Sequence, residues 1–140
     1  MYDTIIVPTD GSDAAQSAVE HGISQAGAHD ARLFFLAVVE MSGSTASEAH
    51  RGEAVEEKRT AKREVVDALV GEATEAGVDA EGIVEVGIPS RVIVEEATDR
   101  GIDMIIMGTQ ARSGVGRFLF GSVTDQVIQD GEIPVLAIQS

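Results

Sequence analysis

Five apolar runs punctuate the chain, at residues 4–7, 33–39, 83–86, 104–107 and 135–138. Most are continuous rather than alternating, as in strands covered on both faces. The third is interrupted by Glu81 and Glu85, which marks it as an edge strand. Between the runs the apolar spacing turns helical. Ala15, Ala18, Val19, Gly22, Ile23 and Ala26 share one face, with Ser12 placed to cap that helix and Gly27 to stop it. A second helix is predicted over about 53–76, with Ala61, Val65, Leu69 and Ala73 in register. A third follows Pro89, a good first-turn residue, with Val92, Ile93 and Ala97 inward. A fourth is predicted to open at Gly121-Ser122 and carries Val123, Val127 and Ile128. This alternation predicts an α/β fold, a parallel sheet with helices on both faces. No linker, repeat or low-complexity tract divides the chain, and residues 41–50 read as a small-residue loop.

Composition narrows the class. The length of 140 residues predicts a single domain over 1–140, large enough for a core without staples. With no cysteine, disulfides and thiolate metal sites are excluded, and His21, His29 and His50 have no metal-ligand spacing. No apolar run approaches the roughly 20 residues of a membrane span. The N-terminus lacks a basic n-region and reads as the first strand, not a signal peptide. The expected location is the cytoplasm.

The net charge is −14, and only two lysines, Lys58 and Lys62, stand beside eight arginines. Without a broad basic patch, nucleic acid and anionic membranes are excluded as partners. Acidic excess with scarce lysine suits a high-salt cytoplasm, such as that of a halophilic archaeon, where about 1 M salt shrinks the Debye length to about 3 Å. An ordinary acidic protein is the other reading. Half of the basic residues fall in Arg51, Lys58, Arg59, Lys62 and Arg63. Glu56–Arg59 and Arg63–Asp67 have helix-pair spacing, so this cluster reads as a solvated face, with a docking surface as the alternative.

Ligands of open α/β sheets bind beyond the strand C-termini, where strand order reverses. Two loops suit that position: Pro8-Thr9-Asp10-Gly11-Ser12 after the first run, and residues 108–122 after the fourth. The second is a glycine-rich stretch entering a helix, which suits phosphate. Arg112 and Arg117 add charge of the right geometry. A Walker A loop is ruled out because no Gly-Lys pair exists. The dinucleotide pattern fails at Leu119, and the serine elbow Gly-x-Ser-x-Gly is absent. Asp10 reads equally as a turn or cap residue of the first helix, and Arg117 as a surface arginine; for Gly108 and Gly121 a strand-end and helix-entry role is the minor alternative. Phe118-Leu119-Phe120 reads as core or dimer contact.

Gly108-x-x-Ala111, nine further residues, then Gly121-Ser122 resembles the ATP-binding signature of the universal stress proteins, Gly-x2-Gly-x9-Gly-Ser/Thr. Further pieces fit: Ile-Ile-Val-Pro-Thr-Asp-Gly-Ser at 5–12, Val-Gly-Ile-Pro at 86–89, Asp-Met-Ile-Ile-Met-Gly-Thr at 103–109, and Gly-Ser-Val-Thr-Asp-Gln-Val-Ile followed by Ile-Pro-Val-Leu. The resemblance spans essentially the whole chain. It implies an open five-stranded parallel sheet of order 3-2-1-4-5, Rossmann-like, and a homodimer through Val135–Ile138, an isologous contact covering an otherwise open edge. Carried over by residue, it implies that Pro8, Thr9 and Asp10 line the adenine and ribose side, and that Val38 offers backbone groups to the base. Gly108, Thr109, Ala111, Arg112, Ser113 and Gly114 would wrap ribose and phosphates, with Gly121, Ser122, Val123 and Thr124 closing from the helix start. Mg²⁺ would accompany ATP through its phosphates.

One position departs from the pattern: Ala111 stands at the second signature glycine. If that residue is left-handed, its Cβ costs about 1–2 kcal/mol. Three functions remain open: a nucleotide-binding stress regulator read by a protein partner, a nucleotide-free dimeric or chaperone-like module, and a slow ATP hydrolase. No dedicated catalytic base is visible, so the first is expected.

Overall fold

The computed structural model describes residues 1–40, 48–109 and 117–139. Their elements alternate: β1 (Thr4–Pro8), α1 (Asp13–His29), β2 (Arg32–Glu40), α2 (Glu48–Glu75), β3 (Ala80–Gly87), α3 (Pro89–Asp99), β4 (Met104–Gly108), α4 (Arg117–Asp130) and β5 (Val135–Ile138). The strands form one parallel sheet of order β3-β2-β1-β4-β5. Ile5 of β1 is level with Leu33 of β2 and Met104 of β4. β3, the strand broken by glutamates, is an edge, and β5 is the other.

Alternate strand residues serve opposite faces. Ile5, Val7, Leu33, Phe35 and Ile106 pack with Val19 of α1 and with Val66, Leu69 and Ala73 of α2. Ile6, Phe34, Leu36, Ile105 and Met107 pack with Ile93 and Ala97 of α3 and with Val127 of α4. Right-handed crossovers dictate this division. The steps β1 to β2 to β3 run one way, the steps β3 to β4 to β5 run the other, and the helices land on opposite faces. The direction reverses between β1 and β4.

Local chemistry sets the helix limits. Ser12 caps α1, its Oγ accepting from the Ala15 amide at 3.2 Å. The helix passes the expected stop at Gly27 and ends at Asp30, which is left-handed at φ 54°. A short polar side chain tolerates that conformation, and the Ala31 amide closes the end on the Ala26 carbonyl at 2.9 Å. α2 starts at Glu48, earlier than expected, and takes in the end of the 41–50 loop; residues 41–47 lie outside the described set. Ala61 is exposed, and Val66 is the buried contact, with Val65 half-buried beside it. The cause is Gly82, where a Cβ would lie 3.0 Å from Val66 Cβ, so the missing side chain seats that valine.

α4 begins at Arg117, one turn ahead of the expected Gly121-Ser122. The segment Arg-Phe-Leu-Phe carries no helix breaker, and Gly121 is tolerated inside a helix at about 1 kcal/mol. At the far end of the sheet, Asp103 pins the N-terminus. Its Oδ2 accepts from the Asp3 amide at 2.8 Å and from the Thr4 amide at 3.0 Å. These two backbone bonds, Thr4 first, hold the Asp103 carboxyl below its ordinary range.

Candidate functional site: a crevice at the strand reversal

A crevice of about 380 Å³ opens above the C-terminal ends of β1 and β2, within the size range of small-molecule sites. Pro8, Thr9 and Asp10 form one wall, because β1 ends there and the chain turns into α1. Leu36, Val38 and Glu40 of β2 form the adjoining side. Ile88, Pro89 and Ser90 enter from the start of α3, and Ser122 and Val123 from α4. Ile88 is 49% exposed and adds apolar surface to the crevice. The wall is thus apolar around Leu36, Val38, Ile88 and Val123, with a polar rim.

The turn after β1 is internally bonded. The Thr9 amide donates to the Leu36 carbonyl at 2.8 Å, tying the turn to β2. Thr9 is buried, and its Oγ1 accepts from the Gly11 amide at 3.1 Å. Asp10 Oδ1 accepts from the Ser12 amide at 2.9 Å, so Asp10 is a turn residue while it also lines the crevice. Gly11 has φ +80°, a conformation that glycine takes at no steric cost, and Val65 of α2 lies 3.6 Å from where a Cβ would be. α2 therefore rests on the turn that presents Asp10.

Six of the residues singled out from sequence meet in this crevice: Pro8, Thr9, Asp10, Val38, Ser122 and Val123. Gly108, Thr109 and Thr124 are not among the residues that line it. Thr124 is 2% exposed, and its hydroxyl donates to the Gly108 carbonyl at 3.2 Å, joining α4 to the end of β4. The Thr109 amide donates to the Ile138 carbonyl at 2.8 Å, joining the same end to β5. Gly121 lies within α4, and Ser122 is in the second turn, so Ser122 is not the helix cap. Ala111, Arg112, Ser113 and Gly114 lie outside the described residues.

Sequence reasoning missed a further pair. Lys58 and Lys62 of α2, the only lysines in the chain, both line the crevice. At 28 residues α2 is about 42 Å long, against about 26 Å for the eight residues of β3. The helix outruns the strand it packs against, and Lys58 and Lys62, near its midpoint, line the crevice with Val38 and Glu40 at the end of β2. Their i, i+4 spacing was visible in the sequence as one face; that this face overlooks the strand ends was not.

Among the described residues no group of three or more His, Asp or Glu could hold a metal ion. No helix there is long and apolar enough to cross a membrane.

An open, doubly wound α/β sheet with a crevice at its reversal point defines the Rossmann-like class, a fold in which that point is the usual place for a ligand. The chain belongs to the universal stress protein family, whose model matches residues 1–139. A universal stress protein from Methanocaldococcus jannaschii is 33% identical over 141 residues, covering 99% of this chain and 83% of that relative. The solved structure of the hypothetical protein MJ0577 superposes with a TM-score of 0.88 at 29% identity, over 100% of this chain and 97% of that one. A universal stress protein crystallised in complex with cAMP matches with a TM-score of 0.75 at 26% identity, over 98% of this chain and 97% of that one.

Proposed function

We propose that this chain binds an adenine nucleotide, ATP in preference, in the crevice at the strand reversal, and acts through ligand-dependent association rather than through catalysis. The observation that carries the reading is the crevice itself: an apolar wall suited to a base, and a polar rim formed by the turn after β1 and by α4. The cAMP complex of a family member supports an adenine ligand. In this reading Asp10 accepts from ribose hydroxyls, Val38 offers backbone groups to the base edge, and Ser122 and Val123 face the phosphate side. The phosphates are assigned to the glycine-rich stretch that begins at Gly108 on the strength of its match to the family signature alone. Mg²⁺ would be carried by those phosphates, since the described residues offer no carboxylate cage.

The association surface in this reading is β5. It is a sheet edge, and Leu136 on it is 37% exposed. Pairing with a second copy would cover the open backbone groups. Calorimetric titration of ATP, cAMP and GTP with Mg²⁺, in about 1 M KCl to screen the acidic surface, tests the reading. Saturable heat with ATP favoured over GTP supports it. No heat and no thermal shift with any adenine nucleotide would overturn it.

A further inference from the structure

Lys58 and Lys62, like Arg91, lack a carboxylate partner among the described residues, but unlike Arg91 they line the crevice. Arg32, Arg59, Arg63 and Arg100 each reach a carboxylate within 4.0 Å. Among the described residues neither lysine makes such a pair. Lys62 is half-buried and Lys58 exposed, and both line the crevice beside two carboxylates, Asp10 and Glu40. The placement follows from packing. Val65 lies 3.6 Å from where a Cβ of Gly11 would be, and Lys62, three residues earlier on the same face, lines the crevice together with Asp10. Lys58 follows one turn higher.

A chain with net charge −14 repels a polyanion at most points of its surface. An anion entering this crevice would meet Asp10 and Glu40 unless something offsets them. An ammonium group on a flexible stem can swing between those carboxylates and an incoming phosphate.

We propose that Lys58 and Lys62 make this crevice selective for the anionic, phosphorylated ligand over the bare nucleoside. This rests on the nucleotide reading of the same crevice, and it assigns to α2 a discrimination that the glycine loop would otherwise carry alone. The predicted contribution is electrostatic, and so it depends on salt.

Two measurements test it. The first is acetylation with an amine-reactive ester, read by mass spectrometry; Lys58 and Lys62 are the only side-chain amines present. ATP should slow their labelling several-fold, and adenosine should leave it unchanged. The second is affinity for ATP and for adenosine in Lys58→Gln/Lys62→Gln and in Lys58→Arg/Lys62→Arg. The glutamine pair should lose about tenfold for ATP at about 0.1 M KCl, near 1.4 kcal/mol, and little at about 1 M, where the Debye length falls from about 10 Å to about 3 Å. Adenosine affinity should not change, and the arginine pair should recover most of the loss.

If ATP binds while both lysines label at the free rate, or if the glutamine pair weakens ATP and adenosine equally, the lysine assignment is wrong and the nucleotide reading stands. If wild-type protein binds neither ATP nor adenosine, the nucleotide reading fails, and the selectivity proposed here fails with it.

Discussion

Gly22→Ala offers a direct test of how α1 is set against the sheet. A Cβ at Gly22 would lie 2.5 Å from Cγ2 of Val7, far inside van der Waals contact. Val7 is fully buried, so its methyl has nowhere open to move. Replacing a helical glycine with alanine ordinarily gains about 1 kcal/mol. Overpacking a closed core costs about 1–3 kcal/mol, and a clash this short belongs at the upper end. The net expectation is a loss of about 1–2 kcal/mol. Gly27→Ala in the same helix is the control, since the nearest atom to its Cβ would be Val78 Cγ2 at 4.0 Å. It should gain up to about 1 kcal/mol.

The decisive measurement is a double-mutant cycle by urea unfolding. In a Val7→Ala background the offending methyls are gone, and Gly22→Ala should turn from destabilising to stabilising. A sign reversal of that kind is a direct coupling between the two side chains. Gly22→Ala with the same sign and size in both backgrounds would show that α1 does not approach β1 as described. The site should register the change too: α1 begins directly after the Asp10 turn, so lifting the helix moves the crevice wall and should weaken ligand binding in Gly22→Ala but not in Gly27→Ala.

Other expectations follow from single features. The Asp103 carboxyl is held below its ordinary value. Its stabilising contribution is therefore present above the unfolded pKa of about 4 and is lost as pH falls through that value towards the folded one; Asp103→Ala should lower the melting temperature near neutral pH, with the gap to wild type closing in acid. The Ile105 amide bonds the Pro134 carbonyl and the Thr109 amide bonds the Ile138 carbonyl, so by strand alternation the backbone of Ala137 points away from β4. If the chain pairs through β5 as proposed, Ala137→Pro should remove an outward N–H and give monomers by light scattering without breaking the β4–β5 pairing; a dimer unchanged by it places the contact elsewhere. With net charge −14, thermal stability should rise as KCl increases to about 1 M, and a flat response would show that the acids do not repel one another appreciably. Ala111→Gly should tighten ATP binding by up to about tenfold if that residue is left-handed, as read by calorimetry.

β1, β2 and β4 were legible because they are buried on both faces and therefore appear as unbroken apolar runs; Glu81 and Glu85 marked one edge for the converse reason, whereas β5 is apolar in sequence and yet partly exposed as the other edge. Helix faces were less legible. Apolar spacing placed Ala61 inward, yet the actual face follows Val66, and what decides this is the bare backbone at Gly82, on a strand reached only after the helix ends. Helix ends depended on residues of weak preference: Asp30 does what Gly27 was expected to do. Within the site, the turn residues Pro8, Thr9 and Asp10 could be located because they follow a strand directly. Ile88, Lys58 and Lys62 could not, because their role depends on how far α2 and α3 extend past the strand ends, and that is a tertiary quantity.

The use of the basic residues brings these points together. At the end of the sheet away from the crevice, Arg32 and Arg100 flank the Phe34 ring, each guanidinium carbon 5.2 Å from its centroid. Both also reach Glu81, Arg32 at 2.8 Å and Arg100 at 3.7 Å. Planar, delocalised cations suit such stacking and forked pairing, and here they join β2, β3 and α3. Such pairs are partly exposed, and each contributes little on its own. Exchanging the two types should therefore have unequal effects. Arg32→Lys and Arg100→Lys keep the charge but lose the planar stack, so melting temperature should fall while ligand affinity holds. Lys58→Gln and Lys62→Gln remove charge at the crevice mouth, so affinity should fall while melting temperature holds. If instead both exchanges lower stability alone, the lysines belong to the scaffold, and the division of basic residues between holding the fold and admitting an anion does not exist in this protein.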